Sequence, residues 1–258
     1  MLKWGREKTN RKIVSGIMFT LLLINILTLT FNSRPVKADP TQSGYLWFTQ
    51  SETPKKIYKL NPSTREVAYI FDSPGSSFIN DLAWDGAYLW ASEAEENKIY
   101  RLNSNDGSII NSFAGPGEEP EGLAWDGTNL WVSDYWTDMI YTVNPLDGQV
   151  LLSFNAPSGA SQGLTWDGAN LWHSDYDTKK IYKLNPSSGS VITSFDAPED
   201  KHPKGLAWDG NNLWVVGCEY ISKIYKLNPS DGSIITSFDL SSISFGEGFE
   251  GLTWQPIV

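Results

Sequence analysis

Five polar residues stand directly in front of a recurring Gly-Leu-x-Trp segment or its variant Asp-Leu-Ala-Trp: Asn80, Glu121, Gln162, Lys204 and Glu250. They supply two carboxylates, two carboxamides and one ammonium. Two carboxylates in one confined place can divide acid and base roles, because each shifts the other's proton affinity. Only if the chain is an enzyme are Glu121 and Glu250 its candidate catalytic residues; Asn80, Gln162 and Lys204 are candidate ligand-binding residues. The competing reading is a row of solvated strand starts. A second group follows the Leu-Trp segments: Glu93, Asp134, Tyr135, Trp136, Asp175, Tyr176, Glu219 and Tyr220. Tyr135, Trp136 and Tyr176 are its aromatic candidates for ligand contact. Trp136 alone among the tryptophans after residue 38 falls outside the repeat pattern, so it contacts a ligand or covers its own loop.

The chain has two histidines, which excludes a His-rich metal site. His173 replaces an apolar residue and reads as a satisfied interior histidine; His202 reads as solvated. Calcium on Glu118, Glu119 or Glu121 is a weak alternative, because the spacing of a calcium loop is lacking. No cofactor and no metal are assigned.

The elements that must position these groups are set by a repeat. Trp84, Trp125, Trp166, Trp208 and Trp254 mark its first position, at spacings of 41, 41, 42 and 46; Trp47, Trp90, Trp131, Trp172 and Trp214 mark the second. A period near forty, built of short apolar segments, indicates a β-propeller. Each unit predicts four strands: Gly-Leu-x-Trp, then Leu-Trp-x-Ser, then Ile-Tyr-Lys-Leu, then a strand ending in Phe. Asp-Gly joins the first two as a hairpin. Asn-Pro precedes the fourth, where proline enforces a turn. Three of the strand types occur five times in register, but Gly-Leu-x-Trp is displaced. The first unit lacks it, and Gly251-Leu252-Thr253-Trp254 at the chain end is spare. The expected fold is all-β: a five-bladed propeller with four antiparallel strands per blade, closed by the C-terminal strand completing the N-terminal blade. Such a ring has no free edge at its closure. Gly-Leu-x-Trp is then the inner strand. The five polar residues in front of it converge on one channel mouth, on the crossover face. All ten patterned tryptophans read as inter-blade core.

Residues 1–38 differ in kind. Lys3, Arg6, Lys8, Arg11 and Lys12 precede an apolar run from Ile13 to Phe31, and Val36-Lys37-Ala38 follows. This is the pattern of a secretory signal peptide, with a retained anchor as the alternative; residues 39–258 form the propeller. The leader holds seven Lys or Arg and one Glu, a net of +6, so the chain's −10 becomes −16 for residues 39–258. That charge disfavours nucleic acid and anionic lipid. A secreted or cell-envelope monomer is expected, with a small ligand, peptide or protein as partner. One cysteine, Cys218, permits no internal disulfide.

The unit Gly-Leu-Ala-Trp-Asp-Gly-x-x-Leu-Trp-Val-Ser-Asp, followed by Ile-Tyr-x-Leu-Asn-Pro, resembles the repeats of exported propellers of the NHL, YVTN and gluconolactonase-like group. That resemblance implies fold more than activity. Glu121-Gly122-Leu123, Gln162-Gly163-Leu164 and Glu250-Gly251-Leu252 are similar, more narrowly, to the inner-strand motif of five-bladed glutaminyl cyclotransferases. The resemblance implies that Glu121 or Glu250 would shuttle a proton from the substrate amine to leaving ammonia, with Gln162, Asn80 and Lys204 holding the γ-amide. Pro120 and Ser161 stand where that family has an aromatic residue. The short, near-identical units favour a non-enzymatic exported propeller that binds a ligand or partner on its crossover face. The cyclotransferase is the alternative. A glycosidase using two of Asp81, Glu121 and Glu250 is a third reading.

Overall fold

The computed structural model describes residues 43–53, 55–217, 223–241 and 248–257. The leader, Cys218, Glu219, Tyr220 and most of the extension before Phe249 lie outside the described residues. Among the described residues the regular structure is strand, apart from one 3-10 turn at Pro198–Asp200. Three strands open the ring: β1 (Gly44–Gln50), β2 (Lys56–Asn61) and β3 (Glu66–Asp72). The next blade is β4 (Asp81–Trp84), β5 (Tyr88–Glu93), β6 (Lys98–Asn103) and β7 (Ile109–Ala114). Then come β8 (Pro120–Trp125), β9 (Leu130–Asp134), β10 (Met139–Val143) and β11 (Val150–Asn155). The fourth blade is β12 (Ser161–Trp166), β13 (Leu171–Asp175), β14 (Lys180–Leu184) and β15 (Val191–Asp196). The fifth is β16 (Pro203–Trp208), β17 (Leu213–Gly217), β18 (Lys223–Leu227) and β19 (Ile234–Asp239), and β20 (Phe249–Pro256) ends the chain.

Each blade is a four-stranded antiparallel sheet, and the first has the order β20-β1-β2-β3. Leu46 pairs with Trp254 and Phe48 with Leu252, so the last strand completes the blade that the first strand begins. Backbone bonding there satisfies two edges that would otherwise stay open. The ring closes a second time at its rim. The Gly of each later Asn-Pro turn lies under the Phe of the preceding blade, as Gly189 does under Phe154. In the first blade Arg65 takes that position, and its guanidinium lies 5.8 Å from the Phe238 ring of the last blade.

The repeat's commonest residues each carry a bond. In every Trp-Asp-Gly hairpin one Asp oxygen caps the turn and the other fixes an indole. Asp167 Oδ1 accepts from Ala169 N (3.0 Å) and Asn170 N (2.7 Å), while Oδ2 accepts from Trp172 Nε1 (3.0 Å). Gln255 does the same for Trp47 across the closing strand pair (2.9 Å). The second-position tryptophans are thereby locked into the core, at 0–4 % exposure. Each removes on the order of 200 Å² of mostly apolar surface from water, about 5 kcal/mol as an upper bound.

The first-position tryptophans behave differently, which corrects the expectation that all ten are core. Each packs on the second-position indole of the preceding blade: Trp166 stacks on Trp131 at 6.4 Å and 9°, and Trp254 on Trp214 at 6.2 Å and 11°. Yet all five stay half-buried and line a cavity of about 310 Å³ at the Asp-Gly end of the central channel.

Candidate functional site

The inner strands meet around the axis at Gly122, Gly163, Gly205, Gly251 and, in the remaining blade, Asp81. A Cβ on Gly163 would lie 2.8 Å from Gly205 Cα, and one on Gly251 would lie 2.6 Å from Asp81 Cα. Glycine is required because the neighbouring backbone occupies the space a side chain would need. The single side chain at this level fills the waist of the channel. Asp81 Oδ1 accepts from Leu252 N (3.0 Å), and Oδ2 accepts from Leu123 N (2.9 Å) and Leu164 N (3.3 Å). One carboxyl thus ties together inner strands of four blades. Its burial pushes its pKa up to about 8, against the pull of these backbone N–H groups toward the charged form. Both oxygens are committed to backbone, so Asp81 does not serve as the opposed carboxylate of a glycosidase pair.

One residue further toward the crossover face stand the five predicted side chains, and the structure brings them together. Asn80, Gln162 and Glu250 are buried; Glu121 and Lys204 are partly buried. Lys204 Nζ forms an ion pair with one oxygen of Glu250, whose other oxygen accepts from Ser51 Oγ at 3.2 Å. Asn80 hydrogen-bonds Glu121 through its side chain and accepts from Ala94 N through Oδ1 (3.1 Å). The Gln162 amide donates to the Ser161 carbonyl at 3.2 Å. Burial raises the pKa of Glu121 to about 8; Lys204 and Asn80 oppose the rise, and Glu250 and Glu119 add to it. Glu121 therefore keeps its proton at neutral pH, beside the Lys204–Glu250 ion pair.

The backbone under these residues is held by a group the sequence reading had not assigned. Strand-two serines reach across to the next blade: Ser92 Oγ donates to the Glu121 carbonyl (2.6 Å), Ser133 Oγ to that of Gln162 (2.5 Å) and Ser174 Oγ to that of Lys204 (2.5 Å). The signal was the Ser of Leu-Trp-x-Ser, a polar residue recurring in a buried strand. In the fifth blade Val216 replaces it.

The second-strand group divides. Asp134 is fully buried and is a brace. Its Oδ2 accepts from Glu118 N (2.8 Å) and Glu119 N (2.7 Å), and its Oδ1 accepts from Thr137 N and Oγ1. Glu93 and Asp175 are fully buried at the same position, so none of the three faces a ligand. Tyr135 N donates to the Glu119 carbonyl at 3.0 Å, two residues before Glu121. Tyr135 meets Trp136 edge-on at 6.1 Å, and Trp136 is 68 % exposed. Tyr176 stacks on His202 at 3.9 Å, and its carbonyl lies 2.6 Å from His202 Nδ1, so His202 is anchored to its neighbour.

His173 departs from the expectation of a satisfied interior histidine. It is fully buried, and neither ring nitrogen has a hydrogen-bond partner. Burial lowers its pKa to about 3, so it is neutral. Its ring stacks at 6.2 Å on Tyr182, in a layer where the other blades carry Phe48, Ala91, Val132 and Val215. Among the described residues no three acidic, His or Cys side chains gather as a metal site.

A repeat of unknown function (DUF6923) matches residues 30–129 of the chain. No curated protein sequence matches it. Among solved structures the chain is similar to the glutaminyl cyclase of Myxococcus xanthus, with a TM-score of 0.58 at 16% identity, over 64% of this chain and 72% of that one. It is similar to a chain of the nidogen/laminin complex, with a TM-score of 0.56 at 16% identity, over 82% and 98%. A protein of unknown function from Bacteroides caccae aligns with a TM-score of 0.51 at 17% identity, over 77% and 74%. At these identities the likeness is one of fold, and it agrees with the propeller built above from the repeat.

Proposed function

We propose that the chain is an exported binding protein whose crossover-side channel mouth holds a small polar ligand. The observation that carries this reading is the convergence of five polar side chains of four types, one from each blade, on one largely buried channel mouth. A protonated carboxyl, two carboxamides and an ion pair together complement a zwitterionic or amide-bearing group, such as a peptide amino terminus. Tyr135 and Trp136 form the aromatic rim nearest to Glu121 in sequence and backbone contact, and Tyr176 stands in the equivalent loop one blade on. No metal and no cofactor enter this reading.

The test is calorimetric titration of the full chain with glutaminyl and leucyl dipeptides. Saturable heat that falls at least about tenfold in affinity in Lys204→Met is expected, from loss of a buried charge partner. Absence of heat with every peptide, or wild-type affinity in the variant, overturns it.

One observation favours a second reading, the glutaminyl cyclotransferase. Burial moves the proton affinity of Glu121 to about 8, near neutrality, where one carboxyl can pass its proton to departing ammonia as it takes one from the attacking α-amine. In that reaction the amine nitrogen bonds to the γ-amide carbon, the bond from that carbon to the amide nitrogen breaks, and ammonia leaves with the transferred proton. Ammonia release from glutaminyl peptides that disappears in Glu121→Gln supports turnover. Binding without release leaves the binding protein alone.

A further inference from the structure

The ten patterned tryptophans differ in one chemical respect that the repeat does not announce. All five second-position indoles spend their N–H inside the protein, on Gln255, Asp85, Asp126, Asp167 and Asp209 at 2.8–3.0 Å. None of the five first-position indoles, Trp84, Trp125, Trp166, Trp208 and Trp254, has a hydrogen bond from Nε1 to any described residue, and none of those nitrogens is sealed from solvent. A half-buried indole N–H ordinarily finds a partner. Here the five indoles that carry these unspent donors line one cavity of about 310 Å³. That is the lower end of the range for small-molecule sites.

The rest of the lining narrows the ligand. Thr165 and Thr253 contribute hydroxyls at the cavity wall. Thr253 Oγ1 accepts from Trp84 N at 3.2 Å, which leaves its own proton to donate. Asp209 is the one ionisable group among the lining residues, and its oxygens are occupied. Oδ1 accepts from Asn211 N and Asn212 N, and Oδ2 takes Trp214 Nε1 and Lys226. No Lys, Arg or His lines the cavity among the described residues. An anion would meet a chain of net charge −10 with no cation in the wall to hold it. An alkylammonium ion could lie over an indole face, but it brings no acceptor for the N–H groups. A neutral ligand rich in oxygen acceptors, with apolar C–H faces to lie against indole, satisfies both halves of the wall.

We propose that this tryptophan cup, on the face opposite the polar mouth, binds a neutral carbohydrate ring. The closed waist at Asp81 separates the two mouths, so the cup acts independently of the crossover face. The five indole N–H groups and the two threonine hydroxyls receive the sugar oxygens, and the indole carbons cover its C–H surface.

Indole ¹H–¹⁵N spectra of the full chain distinguish the two sets of tryptophans directly. Titration with methyl glucoside, N-acetylglucosamine and maltose is expected to shift first-position Nε1–H signals saturably for at least one sugar. The second-position signals stay in place. Trp125→Phe keeps an aromatic ring but removes one donor, and it should weaken binding about threefold to tenfold. Titrations of the unaltered protein with sodium sulfate and choline chloride keep the test decisive if the variant folds poorly. No shift with any of the sugars, shifts confined to Trp136 or the second-position set, or stronger binding of sulfate or choline overturns the assignment. Lys204→Met, which disables the opposite mouth, should leave the sugar-dependent shifts unchanged.

Discussion

The two mouths of the channel are built from the same five strands, four residues apart, and they follow opposite rules. At the Asp-Gly end every blade presents the same residue, an indole, at the same position of its inner strand. At the crossover end every blade presents a polar residue, and the types are dissimilar. Repetition gives the first mouth five equivalent donors, a surface with little orientation preference around the axis. Variation gives the second mouth a proton donor, an ion pair and amides at fixed angular positions, so the ligand proposed for it would meet a different group at each angle. Between them Asp81 breaks the glycine ring and closes the channel. One chain can thus carry a symmetric and an asymmetric surface, because the inner strand alternates between positions that the ring constrains and positions that it leaves free.

That comparison can be broken at several levels. The largest effect belongs to the shared scaffold. Trp172→Ala should cost about 3–5 kcal/mol in urea unfolding, the range for removing a fully buried aromatic. Trp125→Ala, at the half-buried first position, should cost clearly less. Equal losses would mean that the cup indoles are core after all.

Next comes the waist. Asp81→Ala leaves three inner-strand N–H groups without their acceptor and should cost about 2–3 kcal/mol, measured by the same method. Unchanged stability would show that water fills the waist and that the two mouths communicate.

His173→Val should act in the other direction, because it removes two unpaired buried nitrogens and restores the residue used at Val132 and Val215. A gain of about 1–2 kcal/mol is expected; a loss would mean that the imidazole fills space no valine can.

The last test is electrostatic and separates the polar mouth from the cup. Glu121 and Asp81 hold protons in the folded chain up to about pH 8, whereas their ordinary values are 4.5 and 3.8. Between those limits the folded state binds more protons than the unfolded, so stability falls as pH rises. His173 has the opposite sign. Its folded value is about 3 against an ordinary 6.5, so its contribution is present above 6.5 and is lost as pH falls toward 3. Above pH 6.5 the histidine contribution no longer changes. Thermal melts should therefore drop between pH 6.5 and 8, and Glu121→Gln should flatten part of that drop. A variant that melts with the wild-type pH profile would remove Glu121 from the buried cluster.

Much of the fold was legible because the repeat writes the same physical problem five times. Asp-Gly, Asn-Pro and the two tryptophans mark turns and core by spacing alone, and the displaced Gly-Leu-x-Trp strand announced the closure. The convergence of Asn80, Glu121, Gln162, Lys204 and Glu250 followed from that register. The roles of individual polar groups did not follow. Asp134 stands in sequence beside the loop candidates Tyr135 and Trp136, yet it is a buried brace, because its carboxylate turns back to Glu118 N and Glu119 N. Sequence spacing carries no information about such a turn.

By itself, then, the sequence determined the number of blades, their strand order and the ring in which one residue per blade must meet its counterparts. Periodic burial and turn chemistry are local and repeat with the chain. Tertiary structure alone decided which tryptophan N–H groups are consumed and which are left over, that Asp81 seals the axis, and that Glu121 keeps its proton. Each of these depends on the distance between atoms from different blades, a quantity fixed only when five sheets are pressed around a common axis.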